Sequence, residues 1–220
     1  MTEQTKKRVA ILISGRGSNM VSLIEAATQD GYPAEVVVVG SNRPDAPGLE
    51  KASQAGLETF TLDHKTFGKD REAFDTALST KLKQHKVDLV VLAGFMRLLT
   101  PGFTEEWAGH MINIHPALLP SFPGLNTHER ALEAGVKLHG ATVHFVTSDM
   151  DAGPIIMQGA VPVLDEDTPE TLGARVLDVE HQIYPEALAL VAADRTRIEG
   201  QRVTIIGSDD LDDDLIAPTV

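Results

Sequence analysis

Apolar residues run along this chain in two rhythms, short unbroken runs and helical stripes, and the two alternate. Arg8 to Ile13 (RVAILI) is a short apolar run ended by Ser-Gly, which predicts a buried strand. From Ser18 to Gln29, Met20, Leu23, Ile24 and Ala27 share one helical face, with Gly31 beyond the end. Glu35 to Gly40 (EVVVVG) reads as a second strand and Ser41-Asn42-Arg43-Pro44 as a turn. Leu49 to Ala55 is a short helix stopped by Gly56, and Thr59 to Leu62 is a third, shorter strand. Arg71 to Gln84 carries the stripe Phe74, Ala77, Leu78 and Leu82, and so reads as a helix. Val87 to Ala93 (VDLVVLA) has no polar face after Asp88 and reads as a strand. This alternation predicts an α/β fold with a doubly wound, mostly parallel sheet covered on both sides.

The rhythm loosens in the second half. Met111 to Ile114 is a strand, and Pro116, lacking an N–H for the ladder, stops it. Pro116 to Gly124 (PALLPSFPG) holds three prolines and reads as a structured loop. Thr127 to Ala134 is a helix before Gly135. Ala141 to Val146 and Ile155 to Val163 read as an antiparallel pair flanking the loop Thr147 to Pro154. Thr168 opens a long helix to about Ala193, with Pro169 in its first position. Val203 to Ile206 is a short strand-like end. With no internal repeat or low-complexity linker, residues 1–200 are expected to form one domain and 201–220 a C-terminal extension.

The composition narrows the chemistry. The 220 residues, 42% hydrophobic and 23% charged, suit one globular domain with a buried core. There is no cysteine, which excludes a disulfide scaffold, a thiolate metal site and a cysteine nucleophile. Val9 to Ile13 is too short for a secretory signal, and no run approaches the ~18 apolar residues of a membrane helix, so a cytoplasmic location and no membrane partner are expected. A formal charge of −13 opposes binding to nucleic acid. Part of that charge is local: Asp209, Asp210, Asp212, Asp213 and Asp214 read as a solvated, loosely ordered tail.

Four stretches carry candidate chemistry. Ser14-Gly15-Arg16-Gly17-Ser18-Asn19 follows the first strand and opens the first helix. Glycines there let backbone N–H groups approach an anion, and the helix end adds partial positive charge. The stretch completes neither the dinucleotide fingerprint nor the Walker A loop. It fits a phosphate cradle, and it also fits a plain tight turn with an N-cap. Next, Asn113 and His115 are two residues apart in a strand, so they share a face. Asp151, in the glycine-containing loop DMDAGP, is a carboxylate able to hold that imidazole protonated. An amide donor, an imidazole and a carboxylate suit stabilisation of an oxyanion, which points to acyl-type transfer. A loop-anchoring histidine is the competing reading of His115. Gly94 to Leu99 runs off a buried strand, where Met96, Leu98 and Leu99 fit a slot for a flat heterocycle or an ordinary extension of the core. Finally, the eight histidines show no His-x-His and no His-Glu-x-x-His, so no metal is expected.

Taken together, ISGRGSN, VVLAGFMRLL, INIHPALLPSFPG, HGATVHFV, DMDAGPII and EHQIYPEAL resemble the phosphoribosylglycinamide formyltransferases, a folate-dependent formyltransferase family. The resemblance runs from about Val9 to Ala193 and implies a Rossmann-like formyltransferase fold. It implies formyl transfer from 10-formyltetrahydrofolate to the amine of a phosphoribosyl glycinamide in purine synthesis; small-molecule substrates and, separately from the resemblance, a monomer or weak homodimer are expected. It places Asn113, His115 and Asp151 on the catalytic positions. Gly17, Ser18, Asn19 and Glu180 fall on ribonucleotide-binding positions. Arg71, Met96, Arg97, Leu98, Leu99, Asn113, Asp149, Met150 and Gly153 fall on folate-binding positions. Arg16, Ala117 and Asn126 depart from residues common in the family, and so does the acidic tail. Transfer RNA formyltransferases carry a further C-terminal domain and a basic surface, and deformylases a further N-terminal domain; neither pattern is expected here. Relatives that formylate nucleotide sugars, and a non-catalytic binding module, are the remaining alternatives.

Overall fold

The computed structural model describes residues 5–207. The acidic tail expected at Asp209 to Asp214 lies outside the described residues. The elements run β1 (Lys7–Ile13), α1 (Ser18–Ala27), β2 (Ala34–Ser41), α2 (Pro47–Gln54), β3 (Glu58–Thr61), α3 (Arg71–Gln84), β4 (Leu89–Leu92), α4 (Pro101–Glu106) and β5 (Met111–His115). They continue with α5 (Thr127–Glu133), β6 (Leu138–Phe145), β7 (Ile155–Pro162), α6 (Pro169–Ala192), β8 (Thr196–Glu199) and β9 (Arg202–Ile205).

One sheet of nine strands has the order β3-β2-β1-β4-β5-β6-β7-β9-β8. Strands β3 to β5 are parallel, whereas β6 runs antiparallel to both β5 and β7. This is the mostly parallel α/β sheet that the apolar rhythm predicts, with its antiparallel strands in the second half. Strand β1 shows why both faces are covered. Val9, Ile11 and Ile13 pack on one side with Met20, Leu23, Val176 and Tyr184, and Ala10 and Leu12 pack on the other with Phe74, Leu78 and Leu82. Side chains alternate across a strand, so a strand apolar at every position needs helices on both sides.

The chain leaves β1 toward β2 and β3, then returns to β4 on the opposite side of β1. A crevice opens at the carboxyl ends of the strands where the winding reverses this way. Ser14 and Gly94, just past β1 and β4, and Asn113, in β5 beside the last residue of β4, therefore stand in a row. Helix α6 starts as expected: the Thr168 hydroxyl accepts from the Thr171 N–H, and Pro169 follows in the first turn.

Three elements go beyond the sequence expectations. Helix α4 has only six residues and no full apolar stripe, and Thr100, whose hydroxyl accepts from the Phe103 N–H, caps it. A 3-10 turn spans His64–Phe67, capped by Asp63. Strand β8 forms a hairpin with β9, and β9 joins the main sheet at β7, so the strand-like end belongs to the sheet. Short polar elements such as these are held by their neighbours, and periodicity does not reveal them.

Candidate active site

The glycine loop turns from β1 into α1 through Gly17, whose φ of 67° lies in the left-handed region. A side chain there meets Met20 and the Gly48 backbone at 3.1 and 3.3 Å. No side chain caps α1 and no acid sits in its first turn, so the end keeps its uncapped N–H groups and partial positive charge. Ser14, Gly17, Ser18, Asn19 and Arg97 help line an adjoining cavity of about 580 Å³. The Asn19 Nδ2 donates to Glu180 Oε2 at 2.6 Å, across the contact between α1 and α6. The Asn19 Oδ1 is buried without a partner. Burial pushes the Glu180 carboxyl up, and the Asn19 hydrogen bond pulls it partly back. Four ribonucleotide candidates thus meet at one place: Gly17, Ser18, Asn19 and Glu180.

Asn113, His115 and Asp151 do not line that cavity; they lie two strands over, past β4. His115 is 5% exposed. Its Nδ1 is 3.5 Å from Asp151 Oδ2, and its Nε2 donates to the Phe122 carbonyl at 3.0 Å. Both ring nitrogens face oxygen atoms, so the ring is held in orientation from two sides. Asp151 is held in turn: Oδ2 accepts the Gly124 N–H at 2.8 Å, and the Asp151 backbone sits at a φ of 53°. Aspartate visits that left-handed region more readily than most residues, and here the Gly124 contact accompanies it. The loop thus closes onto the histidine, which spacing alone left open. Asn113 opposes Leu92 on one side and His144 on the other, and its Nδ2 lies 3.2 Å from His144 Nε2.

The residues past β4 form the third part. Arg71 donates to the Leu98 and Leu99 carbonyls at 2.8 and 3.0 Å, clamping that loop. The Arg97 guanidinium lies 4.6 Å from the Phe74 ring centre, and its Nε is buried without a partner. Met96, Leu98 and Met150 are 69%, 61% and 60% exposed, more than core residues would be. Asp149 is exposed on the same loop as Met150, while Gly153 is buried at its base. Ser14 joins the first and third parts: its hydroxyl donates to Asn42 Oδ1 at 2.5 Å and accepts the Met96 N–H at 2.7 Å.

The family model for formyl transferases matches residues 7–188. The chain belongs to the formyl transferase family. It is 45% identical over 202 residues to the phosphoribosylglycinamide formyltransferase of Escherichia coli, covering 89% of this chain and 95% of that one. It is 50% identical over 205 residues to the bovine trifunctional purine biosynthetic protein adenosine-3, covering 93% of this chain and 20% of the relative. The chain therefore spans between 14% and 20% of the length of the trifunctional relatives it matches. The crystal structure of glycinamide ribonucleotide transformylase 1 from Symbiobacterium toebii superposes with a TM-score of 0.88 at 47% identity, covering 91% and 94% of the two chains. Arg16, Ala117 and Asn126 are the three positions expected to depart from the family, and Arg16 lines the cavity beside the glycine loop. Ala117 is fully buried, and Asn126 takes a φ of 56° at the start of α5, a conformation asparagine tolerates.

Pattern reading missed Tyr184 and His144. The Tyr184 hydroxyl, fully buried, lies 2.9 Å from the Leu92 carbonyl and 3.3 Å from that of Ile112, tying α6 to the two strands that carry the site. His144 was one of eight histidines, and strand register alone singles it out. Among the described residues, no group of three or more His, Asp or Glu side chains is placed to hold a metal, and no helix is long and apolar enough to cross a membrane.

His139 gives a stability prediction near the site. It is 1% exposed, with Nε2 3.2 Å from His128 Nδ1. Burial first, and His128 second, push it down from 6.5 to about 4. The unfolded chain then holds the proton more tightly than the folded one between those values, so folding weakens as pH falls through that window. The urea unfolding midpoint should drop from about pH 6.5 to about pH 4, and His139→Gln should make the drop shallower. An unchanged slope in the variant refutes this.

Proposed function

We propose that the chain transfers the formyl group of 10-formyltetrahydrofolate to the amine of N1-(5-phospho-D-ribosyl)glycinamide, a one-carbon transfer in de novo purine synthesis. The observation that carries this reading is the contact of Asp151 with His115, next in the row to a helix end suited to phosphate. In this reading Gly17, Ser18 and Asn19 hold the phosphate, and Glu180 holds the rest of the ribonucleotide. Arg71, Met96, Arg97, Leu98, Leu99, Asn113, Asp149, Met150 and Gly153 surround the folate. The exposed apolar Met96, Leu98 and Met150, and the unpaired Arg97 Nε, support that placement.

The amine attacks the formyl carbon, and charge develops on the formyl oxygen. Asn113 and His115 donate hydrogen bonds to that oxygen, and the Asp151 carboxylate stabilises the imidazolium. In this reading the Nε2 hydrogen bonded to the Phe122 carbonyl in the free protein is given to the formyl oxygen. The bond from the formyl carbon to the folate nitrogen then breaks, and the proton leaving the amine ends on that nitrogen, through water or His115. The residues need no metal for this. The reading carries with it small-molecule substrates, a cytoplasmic location, no nucleic-acid or membrane partner, and a monomer or weak homodimer.

A spectrophotometric assay of deformylated folate, run with and without the ribonucleotide, tests the reaction. Product only with the ribonucleotide is the expected result; equal product without it makes the chain a hydrolase. Binding tests the phosphate placement. Ser18→Ala with Asn19→Ala should weaken ribonucleotide affinity about 10-fold or more, the worth of one hydrogen bond to a charged group, and leave folate affinity unchanged. Unaltered ribonucleotide affinity puts the phosphate elsewhere.

A further inference from the structure

The contribution of Asn113 depends on which way its amide points, because a half-turn exchanges two donors for an acceptor. Asn113 and His144 are opposed on the antiparallel strands β5 and β6, with Asn113 Nδ2 3.2 Å from His144 Nε2. The other ring nitrogen, Nδ1, lies 2.9 Å from the Phe145 carbonyl oxygen. A carbonyl only accepts, so Nδ1 carries the hydrogen. The ring is 3% exposed. Burial disfavours its charged form, and the nearby His115 acts in the same direction, against the Phe145 bond and Asp151. A neutral ring with its hydrogen on Nδ1 has a bare lone pair on Nε2. The amide oxygen facing that lone pair is repelled, whereas the amide nitrogen is held.

We propose that His144 is a positioning residue that locks the Asn113 amide with its nitrogen toward the ring, so that the second N–H of that nitrogen is presented to the formyl oxygen. The Phe145 carbonyl sets the tautomer, the tautomer sets the amide, and the amide supplies the donor. This rests on the formyl-transfer reading above, and it extends the machinery by one residue that does not touch substrate.

Two measurements test it. Nitrogen-15 spectra of the histidine-labelled wild-type protein should show Nδ1 protonated and Nε2 bare at His144; the opposite tautomer overturns the lock whether or not the protein transfers formyl groups. In turnover, His144→Phe should lower kcat by up to about 100-fold, the worth of one oxyanion donor, with both KM values within about twofold. Placed on Asn113→Ala, the same change should cost no more than about threefold further, because the donor it positions is already gone. His144→Gln, whose Oε1 accepts the same hydrogen bond, should recover part of the lost kcat. Losses that multiply in the double variant, or wild-type kcat in His144→Phe, overturn the proposal. A wild-type protein that forms no formylated product at all defeats the reaction assignment instead, and the spectra then decide the lock alone.

Discussion

Replacing His115 by alanine should lower turnover about 100- to 10,000-fold, the range for losing a positioned acid–base group together with an oxyanion donor. Asp151→Asn should lose a large share of the same factor. The two act as one unit across 3.5 Å, so the double variant should be little worse than either single one. Asparagine keeps an oxygen for the Gly124 N–H, so the loop stays anchored while the charge beside the imidazole disappears. The helical and strand content seen by circular dichroism should match the wild type. A natively folded His115→Ala protein with near wild-type turnover removes the imidazole from the mechanism.

Gly153→Ala should also cost heavily, and for a reason unrelated to folate contact. A Cβ built on Gly153 would stand 1.8 Å from the Phe145 carbonyl oxygen and 2.9 Å from its carbon. The obstacle is backbone, so the loop or the strand has to move. Overpacking of this kind typically costs about 1–3 kcal/mol of stability. The displaced parts matter chemically. The loop carries Asp151 to His115, and the Phe145 carbonyl holds His144. Thermal unfolding and turnover should therefore both fall, with kcat dropping more than ribonucleotide affinity, because the glycine loop is remote from Gly153. An alanine variant with wild-type stability and kcat would falsify the steric account.

Local patterns explain why much of the fold was readable. Each of β1, β2 and β4 is a run of apolar residues, and each of α1 and α3 follows as a stripe. Edges were read less well. Val87 and Asp88 belong to the approach to β4: the Asp88 carboxylate accepts the Arg8 N–H, and its own N–H donates to the Arg8 carbonyl. Strand β6 starts at Leu138, three residues earlier than its apolar run suggests, because β7 pairs with it that far. Helix α4 depends on its Thr100 cap and on Phe103 packing beside Trp107.

What the sequence determined by itself is whatever a short stretch of backbone decides. The two-residue period of a strand puts Asn113 and His115 on one face, and Gly17 permits the left-handed turn that bares the end of α1. Only the tertiary structure decided which distant groups meet them. Asp151 reaches His115 because its loop folds back and the Gly124 N–H catches its carboxylate. Asn19 meets Glu180 because α1 packs on α6, and His144 faces Asn113 because β6 pairs with β5 in one register. Such contacts depend on loop closure and strand pairing over long separations, where the free energy comes from the whole packed sheet and leaves no local signature in the residues themselves.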